Sequence, residues 1–158
     1  MPYARDTALI ATPVGTIRIE GDATIIHRIA IERDRSPPSR AHAPAVVAAA
    51  EQLEAWFDGA LQQFTLPLEP AKTTRGQELR GGLIAIGYGE TMSYGALARR
   101  LDSGPRAIGQ LCSRNPFPIV VPCHRVLGAD GLGHYSAGEG LATKRWLLDH
   151  EARHGRLI

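Results

Sequence analysis

Asn115-Pro116-Phe117-Pro118-Ile119-Val120-Val121-Pro122-Cys123-His124-Arg125-Val126 carries an apolar run into a thiol, an imidazole and a guanidinium in direct succession. Phe117–Pro122 reads as a short buried strand, with the thiol emerging from it into a turn. A cysteine among apolar neighbours is ordinarily an inert core residue. Pro122 fixes the backbone just before the thiol, and His124 and Arg125 set two potential cations beside it. Nearby positive charge favours thiolate over thiol, so this cysteine reads as a nucleophile. Adjacent strand residues point to opposite faces, so His124 reaches Cys123 most easily through a water unless the chain turns there. The carboxylates downstream are Asp130, Glu139, Asp149 and Glu151, so an acid orienting His124 must come from far along the chain.

Upstream, Ser93 caps a short helix over Tyr94–Leu101, and Asp102-Ser103-Gly104-Pro105 is a tight turn. A second short helix, Arg106–Arg114, stops at Asn115-Pro116, because the residue before a proline disfavours helix. Two short helices joined by a Gly-containing turn read as a helix-turn-helix. Before them, Thr74-Arg75-Gly76-Gln77 resembles a capping box opening a helix with Leu79, Leu83 and Ile86 inside, closed by Gly87 and Gly89. Downstream, a Gly-rich loop spans Gly128–Gly140. Thr143 is the expected cap of a last helix that turns Trp146, Leu147 and His150 or Glu151 inward. Surface positions are expected for His42, His134, His150 and His154.

The first third has another grain. Leu9–Ala11, Thr16–Glu20 and Ala23–Glu32 read as strands of an antiparallel meander, with Ile17 and Ile19 on one face. Pro44 opens a helix bearing Val46, Val47, Ala50, Leu53, Trp56 and Phe57 at helical spacing, ended by Gly59. Leu66-Pro67-Leu68-Glu69-Pro70 reads as the linker between halves. The 158 residues are 44% hydrophobic and 22% charged, the composition of a soluble globular chain. No apolar run approaches the roughly 18 residues of a membrane span, and Met1–Asp6 lacks the apolar core of a signal peptide. Cys112 and Cys123 are too few for a disulfide scaffold, and a zinc site is not expected. Residues 1–70 carry net −3 and residues 71–158 net +5. Only Lys72 and Lys144 among the 18 basic residues are lysines. An arginine-rich half suits phosphates, although such a bias also follows from base composition alone.

Asn115-Pro116, Pro122-Cys123-His124-Arg125-Val126, Gly131…Tyr135-Ser136…Gly138 and Lys144…Trp146-Leu147-Leu148…His150-Glu151 together resemble the O6-alkylguanine-DNA alkyltransferases. So do Gly89-Glu90…Ser93-Tyr94-Gly95…Leu97-Ala98 and Arg106-Ala107-Ile108-Gly109. The likeness is dense over residues 64–158 and one of layout over 1–63. It implies an α/β ribonuclease-H-like half (residues 1–69, antiparallel sheet plus helix). A mostly α, winged helix-turn-helix-like half (70–158) follows.

The resemblance also implies a single-turnover repair protein that takes the alkyl group of O6-alkylguanine irreversibly, with O4-alkylthymine a second candidate substrate. The expected partner is double-stranded DNA bearing that lesion. No cofactor, no membrane and no metal are expected, and the implied state is a cytoplasmic monomer. The implied catalytic set is Cys123, His124, Glu151, Asn115 and Tyr135; the DNA contacts are Tyr94, Gly95, Arg106, Ala107 and Arg125; Cys112, Val126 and Ser136 line the pocket. A non-catalytic module that recognises alkylated DNA, or a Cys-His-Glu hydrolase, are the competing classes.

Three departures from the family pattern stand out. Pro105 adjoins Arg106, about two residues short of the usual spacing from Tyr94, so the recognition helix is expected to lack part of its first turn. Arg75 and Arg80 replace aromatic residues, implying a more exposed face or added phosphate contacts. Glu139 places a carboxylate in a slightly long loop near the pocket mouth, where it is expected to alter substrate choice or disfavour duplex DNA.

Overall fold

The computed structural model describes residues 4–155. They form two compact units, which part between Glu69 and Pro70.

In the first unit, β1 (Asp6–Thr12), β2 (Gly15–Gly21) and β3 (Ile26–Glu32) pair antiparallel in the order β1-β2-β3. The β1–β2 hairpin closes through Thr12 Oγ1, which donates to Gly15 O at 2.7 Å. Gly15 is required there: its φ is +117°, and a Cβ would lie 2.6 Å from Glu32 O. The third strand starts later than the alternation predicts. Asp22 Oδ1 accepts from Thr24 N and Ile25 N, both at 2.9 Å, so residues 22–25 become a side-chain-closed turn before β3 begins. One face of the sheet buries Ile17, Ile19, Ile29 and Ile31. Helix α1 (Pro44–Phe57) packs on it through Val46, Ala49, Leu53 and Trp56. Each large side chain so buried contributes about 1.5–3 kcal/mol. Val47, Ala50 and Phe57, placed by spacing on the buried stripe, are only half-buried.

The second unit begins with α2 (Thr74–Ile84). Its cap is Thr73, one residue before the expected one: Thr73 Oγ1 accepts from Gly76 N at 2.9 Å, and Gln77 Oε1 accepts from Ala71 N at 2.8 Å. β4 (Met92–Ser93) leads into α3 (Tyr94–Arg100), capped by Ser93, whose Oγ accepts from Ala96 N at 3.0 Å. After a turn with Asp102 at φ +53°, α4 (Pro105–Ser113) crosses α3 over buried Leu97, Ala98 and Ile108.

The predicted strand over Phe117–Pro122 is a buried loop instead. Val121 N donates to Phe117 O at 2.8 Å, and Ile119 sits at φ +74°. Prolines 116, 118 and 122 remove the ladder donors a strand would need. A β-branched residue in that left-handed region costs on the order of 1–3 kcal/mol, which the surrounding packing must offset. One turn of 3₁₀ helix (Cys123–Arg125) then leads into β5 (Val126–Leu127), parallel to β4. Helix α5 (Leu141–His154) closes the unit. Its cap position is Gly140, at φ +65°, and not Thr143, whose hydroxyl inside the first turn accepts from Glu139 N at 2.9 Å.

Candidate active site

The 3₁₀ turn decides the geometry. It presents Cys123, His124 and Arg125 from one tight turn, so His124 is freed from the opposite-face rule of a strand. The turn is held by Asn115. Its Nδ2 donates to Val121 O at 2.8 Å and to Cys123 Sγ at 3.2 Å, while its Oδ1 accepts from Phe117 N at 2.9 Å.

Cys123 is buried, but its sulfur lines a pocket of about 210 Å³ together with Tyr94, Gly109, Cys112, Ser113, His134, Tyr135, Ser136 and Leu141. Its acidity is raised. The neighbouring Cys112 thiol outweighs burial in this shift, and the Asn115 amide, which donates to Sγ, and the Lys144 charge add to the effect.

Behind the thiol lies a buried triad. His124 Nε2 and Glu151 Oε2 are 2.9 Å apart, and Arg125 grips the same carboxylate through Nε at 2.9 Å and Nη2 at 2.7 Å. Arg125 Nη1 donates to Ile86 O at 2.6 Å, and Gly89 N donates to Glu151 Oε1 at 3.3 Å. Burial works against the Glu151 charge, but the bonds from His124 and Arg125 prevail and hold its carboxyl at about 2. Burial lowers the His124 pKa and outweighs the bond to Glu151, so its ring is neutral. A neutral imidazole beside a carboxylate donates through Nε2, which makes Nδ1 its basic nitrogen.

Two expectations change here. Arg125 is not a DNA contact: it is 6% exposed and its guanidinium is committed to Glu151 and Ile86, because an unpaired charge at that depth would be prohibitive. Nor do His124 and Arg125 supply positive charge to the thiol, since one is neutral and the other cancelled. The cation that acts on Cys123 is Lys144, fully buried on α5, whose Nζ donates to the carbonyls of Val126, Leu132 and His134. Lys144 thereby ties the Gly-rich loop to α5. Sequence reading treated it only as one basic residue in a motif; its lone position in an apolar helical stripe was the available signal.

Tyr135 projects from that loop into the pocket. Its hydroxyl is buried and has no hydrogen-bond partner among the described residues, and burial, then the neighbouring sulfur charge, raises its pKa well above the usual 10.0. It is a permanent donor. Ser136 and Cys112 line the pocket, whereas Val126 does not: it is buried, paired with Met92, and gives its carbonyl to Lys144. Tyr94 and Gly95 open α3, and Tyr94 lines the pocket.

Arg106 and Ala107 are exposed in the first turn of α4. That turn is complete, with Pro105 as its first residue, so the shortening before Arg106 falls in the preceding turn. Arg80 is buried against the Phe117 ring at 5.3 Å, and Arg75, which stays exposed, donates to the carbonyls of Leu101 and Asp102, capping the end of α3. Glu139 is exposed and does not line the pocket. His150, expected at the surface, is buried, stacked on half-buried Trp146 with centroids 5.0 Å apart. Helical i, i+4 spacing puts those rings together. Among the described residues no group of three or more His, Cys, Asp and Glu side chains is placed to hold a metal ion, and no helix is long and apolar enough to cross a membrane.

Comparison with known proteins gives a consistent result. Residues 77–153 match the family model described as 6-O-methylguanine DNA methyltransferase, DNA binding domain. A methylated-DNA–protein-cysteine methyltransferase of Mycobacterium bovis is 36% identical over 149 residues, covering 90% of this chain and 89% of that one. The crystal structure of Mycobacterium tuberculosis O6-methylguanine methyltransferase superposes with a TM-score of 0.82 at 32% identity, covering 98% of this chain and 97% of that one. That of Mycobacterium tuberculosis OGT in complex with DNA gives 0.79 at 34% identity over 94% and 93%.

Proposed function

The chain belongs to the methylated-DNA–protein-cysteine methyltransferase family, and from that premise we propose that it carries out direct-reversal repair by moving the alkyl group of O6-alkylguanine in duplex DNA to Cys123. The observation that carries this reading is the pocket itself: Cys123, with its lowered pKa, and the Tyr135 phenol, whose hydroxyl has no partner among the described residues, line one small cavity.

The chemistry follows from the donors and acceptors present. A base inside a duplex must be turned out of the stack to enter a 210 Å³ pocket. Tyr94, Gly95, Arg106 and Ala107, at the starts of α3 and α4, meet the DNA backbone and fill the gap in this reading. His124, its Nε2 bound to Glu151, draws the thiol proton to Nδ1 through a bridging water. The Cys123 sulfur attacks the alkyl carbon in line, the carbon–oxygen bond breaks, and its electrons pass to the guanine oxygen. The Tyr135 hydroxyl donates to the charge growing there. In net terms the thiol proton ends on guanine and the alkyl group on sulfur. A thioether has no facile return, so each molecule acts once and needs no methyl-donor cofactor.

In the same reading the first unit is ribonuclease-H-like and the second a winged helix-turn-helix. The protein works as a cytoplasmic monomer, with O4-alkylthymine as a second candidate substrate. Mass spectrometry after mixing with DNA containing O6-methylguanine tests the proposal. One methyl mass is expected on the Cys123 peptide, stoichiometric with protein and absent in Cys123→Ser. Intact binding of the lesion without an adduct would indicate a recognition module.

A further inference from the structure

We infer that Arg80 is a positioning residue for the nucleophile: stacked on the Phe117 ring, it fixes the loop that aims the Asn115 amide at the Cys123 sulfur. The inference rests on Cys123 being the alkyl acceptor. It adds to that machinery a residue of α2 that does not line the pocket.

The chain of contacts is continuous. Arg80 is 8% exposed, and its guanidinium carbon lies 5.3 Å from the centre of the Phe117 ring. A cation over an aromatic face is attracted by the ring quadrupole, more strongly where water is excluded. The backbone of Phe117 is bonded on both sides: its N donates to Asn115 Oδ1 at 2.9 Å, and its O accepts from Val121 N at 2.8 Å. The first of these bonds decides which way the Asn115 amide faces. With Oδ1 engaged by Phe117, Nδ2 points at Val121 O, 2.8 Å away, and at Cys123 Sγ, 3.2 Å away. A flipped amide would turn an acceptor toward both and lose both bonds.

The loop needs an anchor from outside. Ile119 is held at φ +74°, and Pro116, Pro118 and Pro122 have no amide hydrogen to give. Such a backbone persists only where its surroundings over-determine it. Arg80 supplies one of those constraints, from a different helix. The titratable and charged groups facing Cys123 are Tyr94 from α3, Cys112 from α4, His134 and Tyr135 from the Gly-rich loop, and Lys144 from α5. Behind it stand His124, Arg125 and Glu151. The variants below leave all of them in place.

The test is the pH profile of Cys123 alkylation by iodoacetamide, read as adduct mass on the Cys123 peptide. Asn115→Ala removes a donor to the thiolate and raises the midpoint by about one pH unit. Arg80→Met keeps an apolar stem and loses the cation. It is expected to raise the midpoint by about half a unit, because the donor is loosened and not removed. Phe117→Leu keeps the cation and loses the ring, with a shift of the same sign. In the Asn115→Ala background, Arg80→Met should move the midpoint no further. A direct field of the Arg80 charge on the sulfur would persist in that background and would survive Phe117→Leu. The inference is overturned if Arg80→Met keeps the wild-type midpoint, or if its shift adds to that of Asn115→Ala. Should Arg80→Met fail to fold, a wild-type midpoint in Phe117→Leu overturns it equally. An Arg80-dependent profile in a protein that takes no methyl group from DNA would sustain the positioning role and overturn the alkyl-acceptor reading. Methyl transfer with an Arg80-independent profile would do the reverse.

Discussion

Replacing Glu151 with alanine removes an acceptor shared by His124, Arg125 and Gly89, all within 3.3 Å. Two routes give the cost. Truncating one partner of a buried ion pair leaves the other charge uncompensated, worth about 3–5 kcal/mol. Separately, the Glu151 carboxyl stands at about 2 against an ordinary 4.5. At about 1.4 kcal/mol per unit that difference is roughly 3 kcal/mol of neutral-pH stability. The two figures describe one interaction and are not added. Because the folded-state value is depressed, the contribution is present above about pH 4.5 and disappears as pH falls toward about 2. Denaturant titration followed by circular dichroism is the assay, with Glu151→Ala compared with wild type at neutral and acid pH. The gap between them is expected to close on acidification. In Arg125→Met/Glu151→Ala the loss should be smaller than the sum of the single losses, since no charge is then stranded. A cost below about 1 kcal/mol for Glu151→Ala, or a gap independent of pH, would refute the reasoning.

Three further outcomes are expected. Tyr135→Phe leaves the denaturation midpoint close to wild type, because its hydroxyl has no partner among the described residues, and slows methyl transfer by about 10²-fold or somewhat less, measured by single-turnover kinetics; an unchanged rate would remove Tyr135 from the mechanism. Lys144→Met strands three carbonyls and costs about 2–4 kcal/mol, with faster amide exchange over residues 128–135 as its local sign. Arg106→Ala weakens repair of duplex DNA more than reaction with free O6-benzylguanine; equal losses would argue against a role confined to turning out the nucleotide.

Local order was legible wherever a residue acts on its own neighbours. The hairpin strands, Pro44 at the start of α1 and Ser93 at the start of α3 all follow from short-range backbone chemistry. Misplaced boundaries have the same origin seen from the other side. Asp22 closes a turn with its own side chain, Thr73 takes the cap from Thr74, and Gly140 takes it from Thr143. Each outcome turns on which amide a side chain reaches, or on a glycine taking the cap position with no side chain, and spacing alone does not decide between them.

The sequence alone determined the chemical inventory: a cysteine flanked by Pro122 and His124, a distant Glu151, and a string specific enough to name the family. Tertiary structure decided what each charge does. Arg125, adjacent to the nucleophile in the chain, is turned inward and neutralised, whereas Lys144, 21 positions after Cys123, supplies the positive field. Adjacency along a backbone does not fix the direction of a side chain, and electrostatic influence depends on distance and burial. Both are set by the 3₁₀ turn that Asn115 braces and by the face α5 presents, which bring Cys112, Cys123 and Tyr135 around one cavity.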